Sequence, residues 1–566
     1  MKKFLLLLFI SHFTFAQKTA FELDSNTTCT YPELIAFYQT LANNYSSCKL
    51  YTEGPTDSGK NLHLLVISED GTFTPQAAHQ KGKTVILVNN GIHPGEPEGM
   101  DAAAMLARDI LKKKSLPIDI VLCIIPVYNI GGMLNRGVSR VNQNGPKEYG
   151  FRGNALNYDL NRDFLKTDSK NSHSFQSIFQ KWKPDLFMDT HTSNGADYQH
   201  IMTLIDTQND KLQPALQSFG KAYTESLYKR MKESGYDMVP YVNGFKGAPE
   251  DGIVSFLETP RYSTGYAALH HVVGYMPETH MWKPYPQRVR STYALLQHFI
   301  NPSPEQIKQA KAARKAAIEE VKQQKFFPLT WKVDTTRYEK IEFLGFVSGQ
   351  KKSEVTGLNR LYYDREKPFT KTIPYYNSFV ADITVEKPKA YLIPQGYTKA
   401  IELLNLNGVK MKPLDKDQKL LVEVYYIDQF RTSPTPYEGH YIHSDVKLKV
   451  TTQEIAFSKG DWIIETGQEA DRYLVEALEP QSSDSFFNWN FFDAVLGQKE
   501  HYSAYIFEEE AYKLLQDNPD WKKEFEELRA KDEKFRNSSR AQLDWIYKKS
   551  PYYERTHMRY PVFRLR

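Results

Sequence analysis

Three short stretches carry residues whose types and spacing suit chemistry at a metal ion. His93-Pro94-Gly95-Glu96 sets an imidazole and a carboxylate three residues apart, after the apolar run Thr84 to Val88 and the turn Asn89-Asn90-Gly91. At a strand end and a helix start, such a pair can converge on one cation, and its nitrogen and oxygen donors suit Zn²⁺. Asp189-Thr190-His191 closes a second apolar run. Asp159-Leu160-Asn161-Arg162-Asp163 is a dense polar cluster between the two. Each stretch also has an ordinary reading: a surface loop, a capping histidine, a solvated turn. Three Cys are too few for a thiolate zinc site, so a metal here needs His and carboxylate ligands.

These stretches need elements to hold them. Leu62 to Ile67, Thr84 to Val88, Ile118 to Val127 and Leu186 to Asp189 are apolar runs that predict buried strands. Tyr31 to Asn43, Pro97 to Lys113, Phe175 to Trp182, Lys211 to Lys232 and Gln287 to Phe299 predict helices. Glu96, Glu98 and Asp101 at the start of the second, and Lys112 to Lys114 at its end, match the helix dipole. Alternating strands and helices predict an α/β sheet covered by helices on both faces. Sites on such sheets gather beyond the carboxyl ends of strands, where the His93–Glu96 and Asp189–His191 stretches fall.

The whole chain has 566 residues, room for three or four domains of about 150 residues each. Hydrophobic residues at 41% and charged residues at 25% exclude a wholly disordered chain. Lys+Arg 72 against Asp+Glu 68 leaves +4, which gives no footprint for nucleic acid or an anionic membrane. Met1 to Ala16 has Lys2 and Lys3, a short apolar run and Thr14-Phe15-Ala16, the pattern of a cleaved signal peptide. The run is too short to span a bilayer, which takes about 20 residues. The expectation is an exported protein, periplasmic or secreted, with no membrane span. In that setting Cys29 and Cys48 are candidates for a disulfide, and Cys123 for a buried thiol.

Near residue 301 the texture changes. Ser303-Pro304-Glu305-Gln306 has the form of a capped helix start, and a polar helix to about Lys325 suits a connector. Beyond Phe327, Lys447 to Ala456 and Asp461 to Glu465 alternate like half-exposed strands, and Tyr391 to Met411 reads strand, helix, strand. From about Glu508 the chain is charged and helical and ends in an aromatic tail. The predicted organisation is a signal peptide at 1–16, a catalytic domain at 17–301, a helical connector at 302–326 and a β-rich accessory domain with C-terminal helices at 327–566. Phe486, Phe487, Trp489, Phe491 and Phe492 form an aromatic cluster that reads as core before it reads as a binding face.

Taken together and in order, His93 and Glu96, Arg140, Asp159 to Arg162, His191 and Glu278 resemble the zinc carboxypeptidase family, the carboxypeptidase A-like metallopeptidases, over about residues 31–301. The resemblance implies a mixed sheet between helices and one Zn²⁺ held by His93, Glu96 and His191, with a position left open for water. It makes Glu278 the general base, Arg140 the oxyanion donor, and Asn161 and Arg162 the clamp on a terminal carboxylate. Asp159 becomes the acceptor that orients His93. It also implies a tyrosine over the substrate, for which Tyr262 and Tyr266 are the candidates. Arg136 and Arg152 rival Arg140, and Glu258 rivals Glu278. His270, His271 and His280 read as structural or rim residues.

The implied activity is hydrolysis of a C-terminal peptide bond in a peptide or peptide-like substrate with a free carboxylate. The alternative keeps the metal and changes the substrate: an amidase or deacylase on cell-wall peptides or N-acyl amino acids. A third reading, a binding protein that lost catalysis, is opposed by the retained ligands and the late-strand Glu.

Overall fold

A computed structural model describes residues 18–244 and 247–566. The expected signal peptide therefore lies outside the described residues. In chain order the first strands are β1 Cys48–Pro55, β2 Asn61–Ile67, β3 Thr84–Asn89, β4 Ile120–Ile125, β5 Leu186–Asp189, β6 His191–Ser193, β7 Met202–Asp206, β8 Val239–Pro240, β9 Ile253–Val254 and β10 Val273–His280. All but β9 form one sheet in the order β1-β2-β4-β3-β5-β10-β7-β8, with β6 paired to β10. The sheet is mixed. β3 runs parallel to β4 and β5, whereas β10 and β7 are antiparallel.

Alternation along the strands explains why both faces are covered. Ile120, Leu122 and Ile124 of β4 join one apolar core, while Val121, Cys123 and Ile125 join the other. Side chains on a strand point to opposite faces in turn, so an unbroken apolar run needs cover on both sides. Helices Tyr31–Asn44, Glu98–Lys113, Pro214–Glu233 and Tyr285–Phe299 cover the first face. Helices Lys170–Trp182 and Ser263–Leu269 cover the second, together with side chains from the second half of the chain such as Tyr391, Leu474 and Trp489.

The second half contributes β11 Phe326–Val333, β12 Glu339–Lys352, β13 Asn359–Tyr376, β14 Phe379–Glu386, β15 Ala390–Ile393, β16 Lys412–Pro413, β17 Gln418–Thr432, β18 His443–Phe457, β19 Trp462–Glu465 and β20 Phe563–Leu565. Six of them form a sheet in the order β16-β19-β15-β20-β17-β18. The aromatic tail is not a helical extension. As β20 it sits between β15 and β17, because Tyr560, Val562 and Phe563 bury apolar surface there. The long β12–β13 hairpin has little apolar alternation to announce it, since most of its residues are exposed. Its last residues pair with β9 of the first half, Tyr375 opposite Ile253.

Helix Pro304–Gln323 has the expected reciprocal cap between Ser303 and Gln306. It is polar, yet it is not a free spacer. Ala310, Ala313 and Ala317 lie in the first core, and Val321 in the second. Small side chains at helical spacing let it lie close against its neighbours. Phe486, Phe487, Trp489 and Phe492 are buried in the core. The disulfide expectation is corrected: Cys29, Cys48 and Cys123 are free and buried. Burial raises the pKa of all three thiols, and the Cys48 thiol lies 3.5 Å from the Leu41 carbonyl.

β20 carries a charge into this interior. Arg564 pairs with Glu423, and its Nε lies 3.1 Å from Glu479, which is buried too. Burial raises the Glu479 pKa, and Arg564 opposes it. Arg564→Ala strands that carboxylate, so a loss of about 3–5 kcal/mol is expected, read as a lower urea midpoint.

Candidate metal centre

The cluster forms where three strand ends meet. His93 and Glu96 lie in the loop between β3 and helix Glu98–Lys113, and His191 opens β6 just beyond β5. Glu278 on β10 is the register partner of His191 on the parallel β6. The loop and the first turn of the helix need glycine for close approach. A Cβ on Gly95 would meet the Gly150 carbonyl oxygen at 2.8 Å, and one on Gly99 would meet Thr190 Oγ1 at 1.8 Å.

One ligand atom each from His93, Glu96 and His191 lies within 4.8 Å of the others. His93 Nδ1 is 3.2 Å from Glu96 Oε1, and His191 Nδ1 is 3.2 Å from Glu96 Oε2. The far nitrogens face carboxylates: His93 Nε2 to Asp159 at 2.8 Å, and His191 Nε2 to Asp189 at 3.1 Å. A carboxylate only accepts, so each Nε2 donates and each Nδ1 presents a lone pair to the centre of the cluster. His93 Nδ1 is buried and makes no hydrogen bond. The donor set and that orphaned nitrogen fit a Zn²⁺ ion held by two imidazoles and a carboxylate.

The charges around it are tightly set. Burial alone would raise the Glu96 pKa, but His93 and Arg140 hold the carboxyl well below its usual range. Asp159 is likewise depressed against the pull of burial, by His93, Arg152 and Arg162. Burial lowers the His191 pKa, but Asp189 and Glu96 raise it by more. Glu278 goes the other way. Burial, with Glu96 and Asp189 nearby, pushes it up to about 8 in the ion-free cluster, against the pull of His191 and Arg152.

A cleft of about 570 Å³ opens over the cluster. His93, Glu96, Arg140, Asn161, Arg162, His191, Tyr262 and Glu278 all line it. The β7–β10 register gives it an apolar floor: Met276 shares a face with Glu278, two residues on, and Ile205 lies opposite Met276. Tyr241 and Phe256 add aromatic walls that no sequence motif announces.

The structure separates the rival residues. Arg140 Nη2 and Arg152 Nη1 lie 3.0 and 3.2 Å from Glu96 Oε1, and Arg152 Nε is 2.9 Å from Asp159. Arg136 instead donates to the Cys29 and Glu148 carbonyls. Asn161 Oδ1 accepts from the Ser263 N–H at 3.0 Å, and the Tyr262 ring lies 4.5 Å from the Arg162 guanidinium. Tyr266 is corrected. It is fully buried among Phe164, Phe179 and His270, and its hydroxyl donates to Asn407 at 2.7 Å, so it does not reach the cleft. Glu258 is also buried elsewhere, accepting from the Gln208 N–H and from Lys211. His270 stacks on Tyr473, and His280 bonds to the Ala196 carbonyl. Asp189 was visible two residues before His191, and its part as that histidine's acceptor follows from the pairing.

Fold and cluster together define an α/β metalloenzyme. Residues 34–293 match the profile of the family described as zinc carboxypeptidase. Carboxypeptidase 2 of Trichophyton rubrum is 20% identical over 488 residues, 82% of this chain and 84% of that protein. Carboxypeptidase A of Helicoverpa armigera superposes with a TM-score of 0.37 at 15% identity, covering 53% of this chain and 77% of that one. A metallo-carboxypeptidase of Burkholderia cenocepacia gives 0.36 at 14% identity, covering 48% and 68%. Residues 34–293 thus form a zinc carboxypeptidase domain, which makes the chain a zinc metallopeptidase. Among the described residues no helix is long and apolar enough to cross a membrane.

Removing a ligand should remove the metal. His191→Ala is expected to purify without zinc by elemental analysis. Asp189→Asn should keep the fold but bind zinc roughly 10–100-fold more weakly, as loss of a carboxylate behind a ligating histidine does. A competition titration with a chelator reads the difference.

Proposed function

We propose that the protein is an exported metallocarboxypeptidase that removes the C-terminal residue of a peptide, with one Zn²⁺ held by His93, Glu96 and His191. The observation that carries this reading is the shared cleft. It has a carboxylate base beside the metal cluster, and an asparagine and an arginine available for a terminal carboxylate. Export rests on the composition of residues 1–16. In the same proposal residues 17–301 are the catalytic unit, 302–326 the connecting helix, and 327–566 an accessory part.

Arg162 binds the substrate carboxylate through its guanidinium, and Asn161 adds an amide donor beside it. The apolar floor of Met276 and Ile205 and the Tyr262 ring exclude water around the bound end. Zinc, when bound, supplies Lewis acidity and brings the pKa of a water towards about 7. Glu278 takes a proton from water and delivers it to the departing amine nitrogen. The negative charge that develops on the scissile carbonyl oxygen needs a cation. Arg140 reaches Glu96 alone, whereas the charge of Arg152 acts on both Glu96 and Glu278. We therefore assign that task first to Arg152 and second to Arg140.

Glu278→Gln keeps the shape of the side chain but cannot accept a proton. Turnover should fall at least about 10²-fold with zinc content unchanged; a near-normal rate removes Glu278 from the mechanism. The pH profile carries the same assignment. The base must be ionised, so kcat/KM rises with pH through the Glu278 pKa. Burial holds that value up at about 8 without the ion, and a bound dication favours the carboxylate. The acidic limb of the zinc enzyme should therefore lie below pH 8, and measurement from pH 5 to 9 locates it.

The substrate's polarity is tested at Arg162. Arg162→Lys keeps the charge and loses the fork. It should lower kcat/KM about 10–100-fold for a free C-terminal carboxylate, by roughly 1.5–3 kcal/mol. The same peptide amidated should be poor already and change little. Equal losses on both, with a lower melting temperature, make Arg162 structural and favour the amidase reading.

A further inference from the structure

The tip of the β17–β18 hairpin, from the second half of the chain, reaches the catalytic cleft of the first. Tyr437 and His440 exchange both backbone hydrogen bonds, at 2.8 and 3.0 Å, across a two-residue turn. Both central residues have positive φ, Glu438 at 49° and Gly439 at 81°. That is the sign pattern of a type I′ turn, which favours Asn or Asp before Gly. A glutamate in the first place is costly and persists only where its surroundings hold it. Here they do. The His440 ring lies 2.7 Å from Asp168, and the Tyr437 ring stacks on Trp489 at 6.3 Å and 27°.

What the turn presents explains the cost. Glu438 Oε2 accepts the Asp159 backbone N–H at 2.8 Å, and Asp159 is the residue that holds His93. The Tyr437 hydroxyl accepts Arg162 Nε–H at 2.9 Å. Arg162 Nη1 donates to the Asn161 carbonyl at 2.9 Å, and Tyr262 lies against the guanidinium. An arginine side chain rotates freely unless its Nε–H is held. With Nε and Nη1 engaged and one face against a ring, the plane of the guanidinium is fixed. A ligand then meets a fork whose ordering entropy is already spent.

We propose that the turn Tyr437–His440 is a positioning element of the cleft, in which Tyr437 locks the Arg162 guanidinium in the orientation that receives a substrate's terminal carboxylate. This rests on the carboxylate reading of Arg162. It makes the second half of the chain a part of substrate recognition, through a residue 275 positions away in sequence.

The test is Tyr437→Phe, which removes one hydroxyl and keeps the stack on Trp489. It is assayed in the full chain with zinc, on one peptide in free-acid and amidated forms. KM for the free acid should rise about tenfold, the size of one hydrogen bond to a charged group. kcat, zinc content, melting temperature and the rate on the amide should stay within about twofold. In an Arg162→Lys background, which lacks the Nε–H, the same change should do nothing further. Equal losses on both peptides, or an unchanged KM for the free acid where Arg162→Lys raises it, overturn the proposal and leave the carboxylate reading standing. If Arg162→Lys itself does not distinguish acid from amide, the carboxylate reading falls, and this proposal with it.

Discussion

Glu96 is a carboxylate with 3% of its surface exposed, and an ion in that position is tolerated only when opposite charge and hydrogen bonds surround it. Two imidazoles, two guanidiniums and the Thr192 N–H converge on it, the last at 2.9 Å. That convergence brings further demands. Each imidazole must be turned so that its second nitrogen meets a carboxylate, which buries Asp189 and draws in the partly buried Asp159 as well. Asp159 in turn needs Arg152 and a backbone partner. The polar network is large because one buried charge recruits the next, and partial satisfaction would cost more than none.

The sheet makes this affordable in geometry. β3, β5 and β10 run parallel and adjacent, so their carboxyl ends deliver the His93 loop, His191 and Glu278 to one edge. Parallel strands force both faces to be apolar, and the chain meets that need unevenly. Helices from the first half cover one face. The other core includes Tyr391, Tyr473, Leu474 and Trp489 from the second half. The same packing that hides the sheet brings the β17–β18 tip to Arg162, so cover for the core and access to the cleft have one cause.

Much of the first half was legible because its signals are local. Strand Leu186–Asp189 has the bounds its apolar run implies, and helix Glu98–Lys113 begins one residue after the expected position. His93, Glu96 and His191 converge because each sits at a strand end, and strand ends of a parallel sheet share an edge. All three fall within residues 34–293, the stretch that the family profile matches. Choices between like residues were not legible. Tyr262 and Tyr266 differ by one helical turn, and only the packing of Tyr266 into Phe164 and Phe179 separates them. Arg152 and Arg140 both reach Glu96, and which one's charge also acts on Glu278 depends on the path of an irregular segment.

The second half shows why legibility fails at long range. β20 is three residues with no periodicity, and its place in the sheet is decided by partners at Tyr391 and Glu423. The Tyr437 contact is harder still, because its partner Arg162 lies 275 positions away and no local pattern names it. What the sequence did carry was the oddity itself: Tyr437-Glu438-Gly439-His440 puts a glutamate where a tight hairpin turn prefers a smaller polar residue. A locally unfavourable choice at a turn is evidence of a demand from elsewhere in the fold. In this protein the demand comes from the Asp159 backbone and the Arg162 guanidinium, both of which line or support the cleft.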